Sequence, residues 1–298
     1  MKTVCVLLSS YNGELYIKEQ IDSILAQEGV NINLIVRDDD SSDSTVNILE
    51  EYSSKGLLSY YTGKNLGWKR SFMEMLISAP SCDYYAFSDQ DDHWLPNKLH
   101  NAIKCIEQLQ NGPNLYISNT IYWKDGKTRV TRKKKPFISK ERCLIWSLGP
   151  GCTMVFNQQL KKLVQEAPPK IETPHDKRVQ QVAALFGHIY FDMNPYILYR
   201  QHDNNQLGAT VTFKENFRRR FSYYCSFRKD DIIEKEMSDL ISCYDSSLLK
   251  DSKTICEKLL SYKSNIKSYF SILFSKRIRH ENILSTLGFK LKIMFHQL

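Results

Sequence analysis

The stretch Tyr84-Tyr85-Ala86-Phe87-Ser88-Asp89-Gln90-Asp91-Asp92 decides how this chain is read. Its leading residues are apolar without alternation, which fits a strand buried on both faces in a parallel sheet. The run then stops on three carboxylates within four residues. Crowded acids repel one another and hold their protons unless a cation compensates. Their hard oxygens suit Mg2+ or Mn2+, ions that usually also meet ligand phosphates. A competing structural reading makes them the cap and first turn of the next helix, a job that Asp92 alone can do.

Upstream, the same grammar repeats. Val4–Ser9 and Ile32–Arg37 read as strands, Leu57–Thr62 as a third, and helical spacing covers Leu15–Gln27, a segment capped by Ser42 or Asp43 through Tyr52, and Lys69–Ser78. Pro96–Leu109 is again helical. Strands separated by helices of this length imply β-α-β units and a parallel sheet. Ligands of such sheets bind beyond the carboxyl ends of the strands. Ser9-Ser10-Tyr11-Asn12, Asp38-Asp39 and Asp89-Gln90-Asp91-Asp92 all fall there. The run Val4–Leu8 gives way to polar residues too soon for a signal peptide.

Downstream, Tyr116–Trp123 and Thr128–Thr131 around Asp125-Gly126 predict a hairpin. Cys152–Phe156 reads as a strand, Asp176–Phe186 as a helix, and Ile189–Arg200 as a strand with a turn at Asn194-Pro195. Residues 213–298, with no strong Gly or Pro punctuation, read as helical throughout.

Composition agrees with a globular protein. The 298 residues are 42% hydrophobic and 25% charged, with a mean hydropathy of −0.42 and no apolar run long enough to span a membrane. The eight cysteines (Cys5, Cys82, Cys105, Cys143, Cys152, Cys225, Cys243, Cys256) form no C-x-x-C pair and read as reduced, mostly buried thiols. The net charge of +8 is uneven: residues 213–298 hold 17 basic and 10 acidic side chains, the rest 24 and 23.

Taken together, the motifs resemble a glycosyltransferase of family 2 with the GT-A fold, on its bacterial rhamnosyltransferase-like branch. The residues carrying the resemblance are Leu8-Ser9-Ser10-Tyr11-Asn12-Gly13, Arg37 through Thr45, Asn65-Leu66-Gly67-Trp68-Lys69-Arg70, Phe87 through Trp94, Gly151 through Asn157, His175-Asp176 and Tyr199 through Asn205. They run over roughly residues 3–210. Asp40 departs from the pattern, since many relatives carry Gly there.

The resemblance implies an α/β GT-A nucleotide-diphospho-sugar transferase fold: a Rossmann-like mixed, mostly parallel sheet flanked by helices. It implies a catalytic domain at 1–212, with a donor half to about 110 and an acceptor half beyond; the charge and pattern of residues 213–298 read as a basic helical extension. Ser9, Tyr11 and Asn12 would line the nucleoside pocket. Asp38 or Asp39 would accept a hydrogen bond from a pyrimidine ring N–H. Arg70, or Lys69 beside it, would hold the diphosphate. Asp89 and Asp91 would form the D-x-D signature that holds donor and divalent metal, with Asp92 adjoining. Asp176 would be the general base, the alternative being a helix-capping aspartate. His202 would be a diphosphate or metal contact, or a structural histidine. Trp94, Gly151 and Cys152 would border the acceptor pocket, with core packing the alternative for Trp94.

The implied activity is inverting transfer of a sugar from a nucleotide-diphosphate donor to a bacterial surface polysaccharide or lipid-linked oligosaccharide in the cytoplasm. A donor-binding scaffold without turnover is the competing function, opposed by the intact acids. The basic tail lacks any nucleic-acid module signature. Its stripe Leu284, Leu287, Leu291, Met294 and Leu298, with Lys290 and Lys292 off it, suits an anionic membrane surface. A second stripe, Ile266, Tyr269, Phe270, Leu273 and Phe274, repeats the theme. Packing on the catalytic domain or on a second subunit is the other reading of both. Arg132-Lys133-Lys134-Lys135 reads as a solvated hairpin edge or as a contact for an anionic acceptor.

Overall fold

The computed structural model describes residues 1–201 and 232–295. In chain order the elements are β1 (Lys2–Ser10), α1 (Ile17–Leu25), β2 (Val30–Asp38), α2 (Thr45–Ser54), β3 (Ser59–Thr62), α3 (Trp68–Ser78), β4 (Tyr84–Ser88) and β5 (His93–Trp94). Next come α4 (Lys98–Glu107), β6 (Asn114–Lys124), β7 (Lys127–Val130), α5 (Lys140–Ile145), a 3-10 turn (Gly151–Thr153) and β8 (Met154–Asn157). The chain continues through α6 (Gln158–Glu166), α7 (His175–Phe186) and β9 (His188–Arg200). Four more helices are described: α8 (Ile232–Tyr244), α9 (Lys250–Ser261), α10 (Ile266–Leu273) and α11 (Ile283–Met294).

The chain divides into two compact units. The first, residues 1–135, 147–168 and 172–201, is built on a nine-stranded sheet ordered β3-β2-β1-β4-β8-β6-β9-β5, with β7 beside β6. Strands β3, β2, β1 and β4 run parallel; β8 enters antiparallel to both β4 and β6. Burial explains the β1 sequence, since Val4 to Leu8 are wholly covered. Ile17, Ile21 and Ile24 of α1 complete the core beside β1, at the spacing of one helical face. Register then levels the strand ends: Ser10 pairs with Asp38, and Leu8 with Ser88. Three polar segments therefore reach one edge of the sheet together.

The hairpin turn holds Asp125 at φ 49° and Gly126 at φ 73°, the two left-handed residues of a two-residue turn whose twist matches its strands. The turn expected at Asn194-Pro195 is instead an irregularity within β9, where the register against β6 shifts past Ser118. The Asn119 amide nitrogen donates to the Met193 carbonyl there at 3.1 Å. Of the basic run, Arg132 is half-buried and donates to the Leu148 carbonyl at 2.8 Å, while Lys133, Lys134 and Lys135 are exposed.

The second unit takes residues 136–146 and 169–171 as well as 202 onward, so it recruits α5 from the middle of the chain. The Arg142 side chain is fully buried and donates to Glu281 at 2.7 Å, and Trp146 packs on Phe289 with ring centroids 4.8 Å apart. Such a buried guanidinium needs its carboxylate. Asn265 caps α10 and Asn282 caps α11, each accepting a backbone N–H two residues on. Among the described residues, no helix is long and apolar enough to cross a membrane.

Candidate active site

Two aspartates at the end of β2 build the floor. Asp38 is wholly buried: Ser10 Oγ and Ser41 Oγ donate to its Oδ2 at 3.0 and 2.6 Å, and Ser41 N–H to its Oδ1 at 2.9 Å. Asp39 is ion-paired to buried Arg37 and accepts the Leu66 and Gly67 amides at 2.8 Å each. It thereby ties the β2 end to the start of α3. Both carboxylates are engaged inside the chain, so a pyrimidine N–H must compete with these bonds to reach either one. Asn12, at φ 48°, receives Ser42 N–H on its Oδ1 at 2.9 Å. Ser9 Oγ sits 2.6 Å from Ser71 Oγ, and the Tyr11 side chain is open to solvent.

The acidic loop after β4 is clamped from two sides. Gln90 bonds both backbone groups of Tyr11. A Cβ on Gly13 would collide with the Gln90 amide, which gives that glycine its reason. From β9, Arg200 Nε donates to the Asp91 carbonyl at 2.8 Å and its backbone N–H to Asp92 Oδ1 at 3.1 Å. The Arg200 guanidinium is ion-paired to Glu19 and lies over the Trp123 ring, 4.0 Å from its centroid. Neither Gln90 nor Arg200 stands out in the sequence as a clamp, because each acts on a segment far along the chain.

Two expected acceptor contacts are corrected. Trp94 is 1% exposed and belongs to the hydrophobic core, so its face is not available to a sugar. Its ring instead lies under the ammonium of Lys98, 3.5 Å from the centroid. Cys152 is likewise 1% exposed. Its Sγ and a carboxylate oxygen from each of Asp89 and Asp92 lie within 4.8 Å of one another. Lys98, on a helix where a lysine normally faces water, is fully buried with no hydrogen-bond acceptor, and burial pulls its pKa down to about 7.

Asp176 lies in the first turn of α7 but does not cap it; the cap position is Pro174. The Asp176 Oδ1 accepts Lys177 N–H at 2.8 Å, and burial raises its pKa above the ordinary carboxylate value. Asp176 is close enough to Asp89 for its charge to raise the Asp89 pKa. Preceding it, His175 is buried, stacked on Phe72 at 4.1 Å and edge-on to Phe87 at 4.5 Å. Both its ring nitrogens lack partners, and burial drives its pKa down to about 3, so it is a neutral aromatic plug. Gly151 packs against His175 and the Asp176 Cβ, leaving no room for a side chain. Glu172, unmarked in the sequence, bonds Lys69 Nζ at 3.0 Å and lies 3.3 Å from Arg70 Nε. His202 lies outside the described residues.

The acids fit a divalent cation. Burial, then the charge of Asp91, pushes the Asp89 carboxyl up to about 7, and the fully buried Asp92 Oδ2 has no hydrogen-bond partner. Both are marks of negative charge short of a counter-ion. Burial, then Asp92 and Asp89, raise the Cys152 thiol well above its usual range, so it stays protonated and offers no hard donor. The carboxylate oxygens that gather are those of Asp89 and Asp92, and the charge of Asp91 is near enough to raise the pKa of both.

A mixed sheet with acids gathered at the carboxyl ends of its parallel strands places the ligand crevice there. Residues 5–208 match the model of "Glycosyl transferase family 2". The chain belongs to that family and is a glycosyltransferase. It is 34% identical over 231 residues to the dTDP-rhamnosyl transferase RfbG of Shigella flexneri, covering 71% of this chain and 77% of that one. It is 36% identical over 119 residues to the Escherichia coli UDP-Glc:alpha-D-GlcNAc-diphosphoundecaprenol beta-1,3-glucosyltransferase WfgD, covering 39% and 45%. Among solved structures, S. aureus TarS in complex with UDP-GlcNAc shares the fold at TM-score 0.61 and 17% identity, over 98% of this chain and 81% of that one.

Proposed function

We propose that the enzyme is inverting, and that it moves rhamnose from dTDP-rhamnose, or a hexose from a UDP-sugar, to a hydroxyl of a bacterial surface polysaccharide or its lipid-linked precursor. The observation that carries this reading is the setting of Asp176: in the first turn of α7, with Gly151 packed on its Cβ, it is made more basic by burial, and its charge reaches Asp89 strongly enough to raise that carboxyl's pKa. The name of the RfbG relative supports a dTDP-rhamnose donor, and that of the WfgD relative a lipid diphosphate acceptor.

In this reading Tyr11, Ser9 and Asn12 receive the nucleoside over the floor organised by Asp38 and Asp39. Lys69 and Arg70, released from Glu172, take the diphosphate. Asp176 accepts the acceptor's hydroxyl proton as that oxygen bonds to the anomeric carbon. The bond from this carbon to the diphosphate oxygen breaks, and its electron pair leaves with the nucleoside diphosphate. Mg2+ or Mn2+ held by Asp89 and Asp91 would neutralise charge on that leaving group. Gly151 lets the chain pack closely against Asp176 and His175, where any larger residue would displace them. The reaction would run in the cytoplasm, where nucleotide sugars are made.

A screen of nucleotide sugars tests this directly. The matching donor raises the melting temperature in the presence of Mg2+ or Mn2+ and is consumed when acceptor is added. Asp91→Asn abolishes both effects. A donor that binds tightly yet is never consumed with any acceptor would make the protein a binding scaffold.

A further inference from the structure

The basic unit leaves a large apolar surface uncovered. Along α10, Ile266, Phe270 and Phe274 recur every four residues and are exposed, Phe274 at 70%. Ser268 and Ile272 on the opposite face are buried. Helix α11 is apolar nearly all round: Phe289 and Ile293 are buried, while Ile283, Leu284, Leu287, Leu291 and Met294 are exposed, each by about half or more. An amphipathic helix in water needs one apolar face; this one has two. The Lys290 ammonium, at the rim of the outer face, donates to the carbonyl of Ser275 at 3.4 Å. That bond ties the end of α10 to the middle of α11.

The rim is cationic. Residues 263–295 contain seven Lys or Arg and one acid, Glu281. Glu281 is committed to buried Arg142. Lys267, Lys276, Arg277 and Arg279 are exposed; Arg277 also lies 3.5 Å from Glu141 and Arg279 lies over the Phe137 ring. Lys292, expected to join them, is buried and does not.

We propose that α10 and α11 form the surface by which this enzyme docks on an anionic lipid bilayer. The helices lie in the interface, their apolar side chains at the acyl boundary and the basic rim on lipid phosphates. With 12 residues α11 is about 18 Å long, too short to span a hydrocarbon core of about 30 Å. A second copy of the chain is a poorer occupant, because face-to-face pairing would bring two cationic rims together. A purely electrostatic polyanion would leave the aromatic and aliphatic side chains unexplained. This surface goes beyond the transfer reaction and requires no step of it, but it sets the enzyme where a lipid-linked acceptor is found.

The test is co-sedimentation of the full chain with vesicles of phosphatidylcholine, alone or with about 30 mol % phosphatidylglycerol, at about 50 and 300 mM NaCl. Wild type should pellet with the anionic vesicles at low salt and bind on the order of tenfold more weakly at the higher salt. Leu287→Glu with Leu291→Glu should lose on the order of tenfold in binding at both salts, with circular dichroism, melting temperature and donor turnover unchanged. Lys276→Gln with Arg277→Gln should weaken binding at low salt and flatten its salt dependence. Absence of wild-type binding, or equal binding by the glutamate variant, would overturn the proposal. So would a wild-type dimer that the glutamate variant splits, which would make this face a subunit interface. Donor turnover in the same samples reports on the catalytic reading separately.

Discussion

The side-chain amide of Gln90 closes a two-bond ring with the backbone of Tyr11: its Oε1 accepts the Tyr11 N–H at 2.8 Å, and its Nε2 donates to the Tyr11 carbonyl at 3.0 Å. The middle residue of the D-x-D signature is thus the strap that joins the end of β1 to the end of β4. The two acids proposed to share a cation are held in place by a neutral neighbour between them.

Gln90→Ala is expected to weaken donor binding about tenfold while leaving the fold intact, because two partly exposed hydrogen bonds are lost at roughly 1 kcal/mol or less each. Titration calorimetry with the nucleoside diphosphate reads the change. A kcat loss with unchanged donor affinity would make Gln90 something other than a strap.

His175 sets a pH dependence of stability. Its folded pKa of about 3 lies below its unfolded value, so the folded state binds fewer protons. The stability this contributes is complete above the unfolded pKa of about 6.5 and is lost as pH falls from there toward 3. His175→Phe keeps the stacking on Phe72 and removes the proton site. Relative to pH 7.5, wild type should lose about 3 kcal/mol more than the variant by pH 4. Denaturant midpoints across that range that track each other would contradict this.

Asp40 adopts φ 72°, a conformation that costs an ordinary side chain but not glycine. Asp40→Gly is expected to stabilise the protein by about 1 kcal/mol, raising the melting temperature by roughly 2–4 °C. A lowered melting temperature would mean that the Asp40 side chain contributes more than its backbone strain costs.

The strands ending in acids were legible because burial on both faces leaves an unbroken apolar run and because hydrophilic residues then cluster where each strand stops. Burial of individual polar residues was not legible. Lys98 sits on a helix where a lysine normally faces water, and Trp94 could be read as a sugar platform or as core; the structure buries both, Trp94 in the hydrophobic core on a strand paired with β9. Glu172 carries no local signature, and the motif around Arg200 does not reveal its partners, which lie far along the chain. The same limit hid α5, a short helix whose partner Glu281 lies far along the chain in the other part of its unit.

Glu172 holds Lys69 and Arg70 in the absence of donor, with the Lys69 bond lowering its pKa. Glu172→Gln should tighten nucleoside diphosphate binding severalfold, and Arg70→Gln should weaken it about tenfold, with little effect on the nucleoside monophosphate. Equal losses for both nucleotides would place Arg70 away from the terminal phosphate.

The central claim is that Asp176 removes the acceptor's proton. The most direct measurement is donor affinity and kcat of Asp176→Asn side by side, with the matching nucleotide sugar and acceptor. Unchanged donor binding with kcat reduced on the order of a hundredfold or more is the predicted result. Donor binding that collapses while kcat at saturation survives would contradict it and make Asp176 a binding residue.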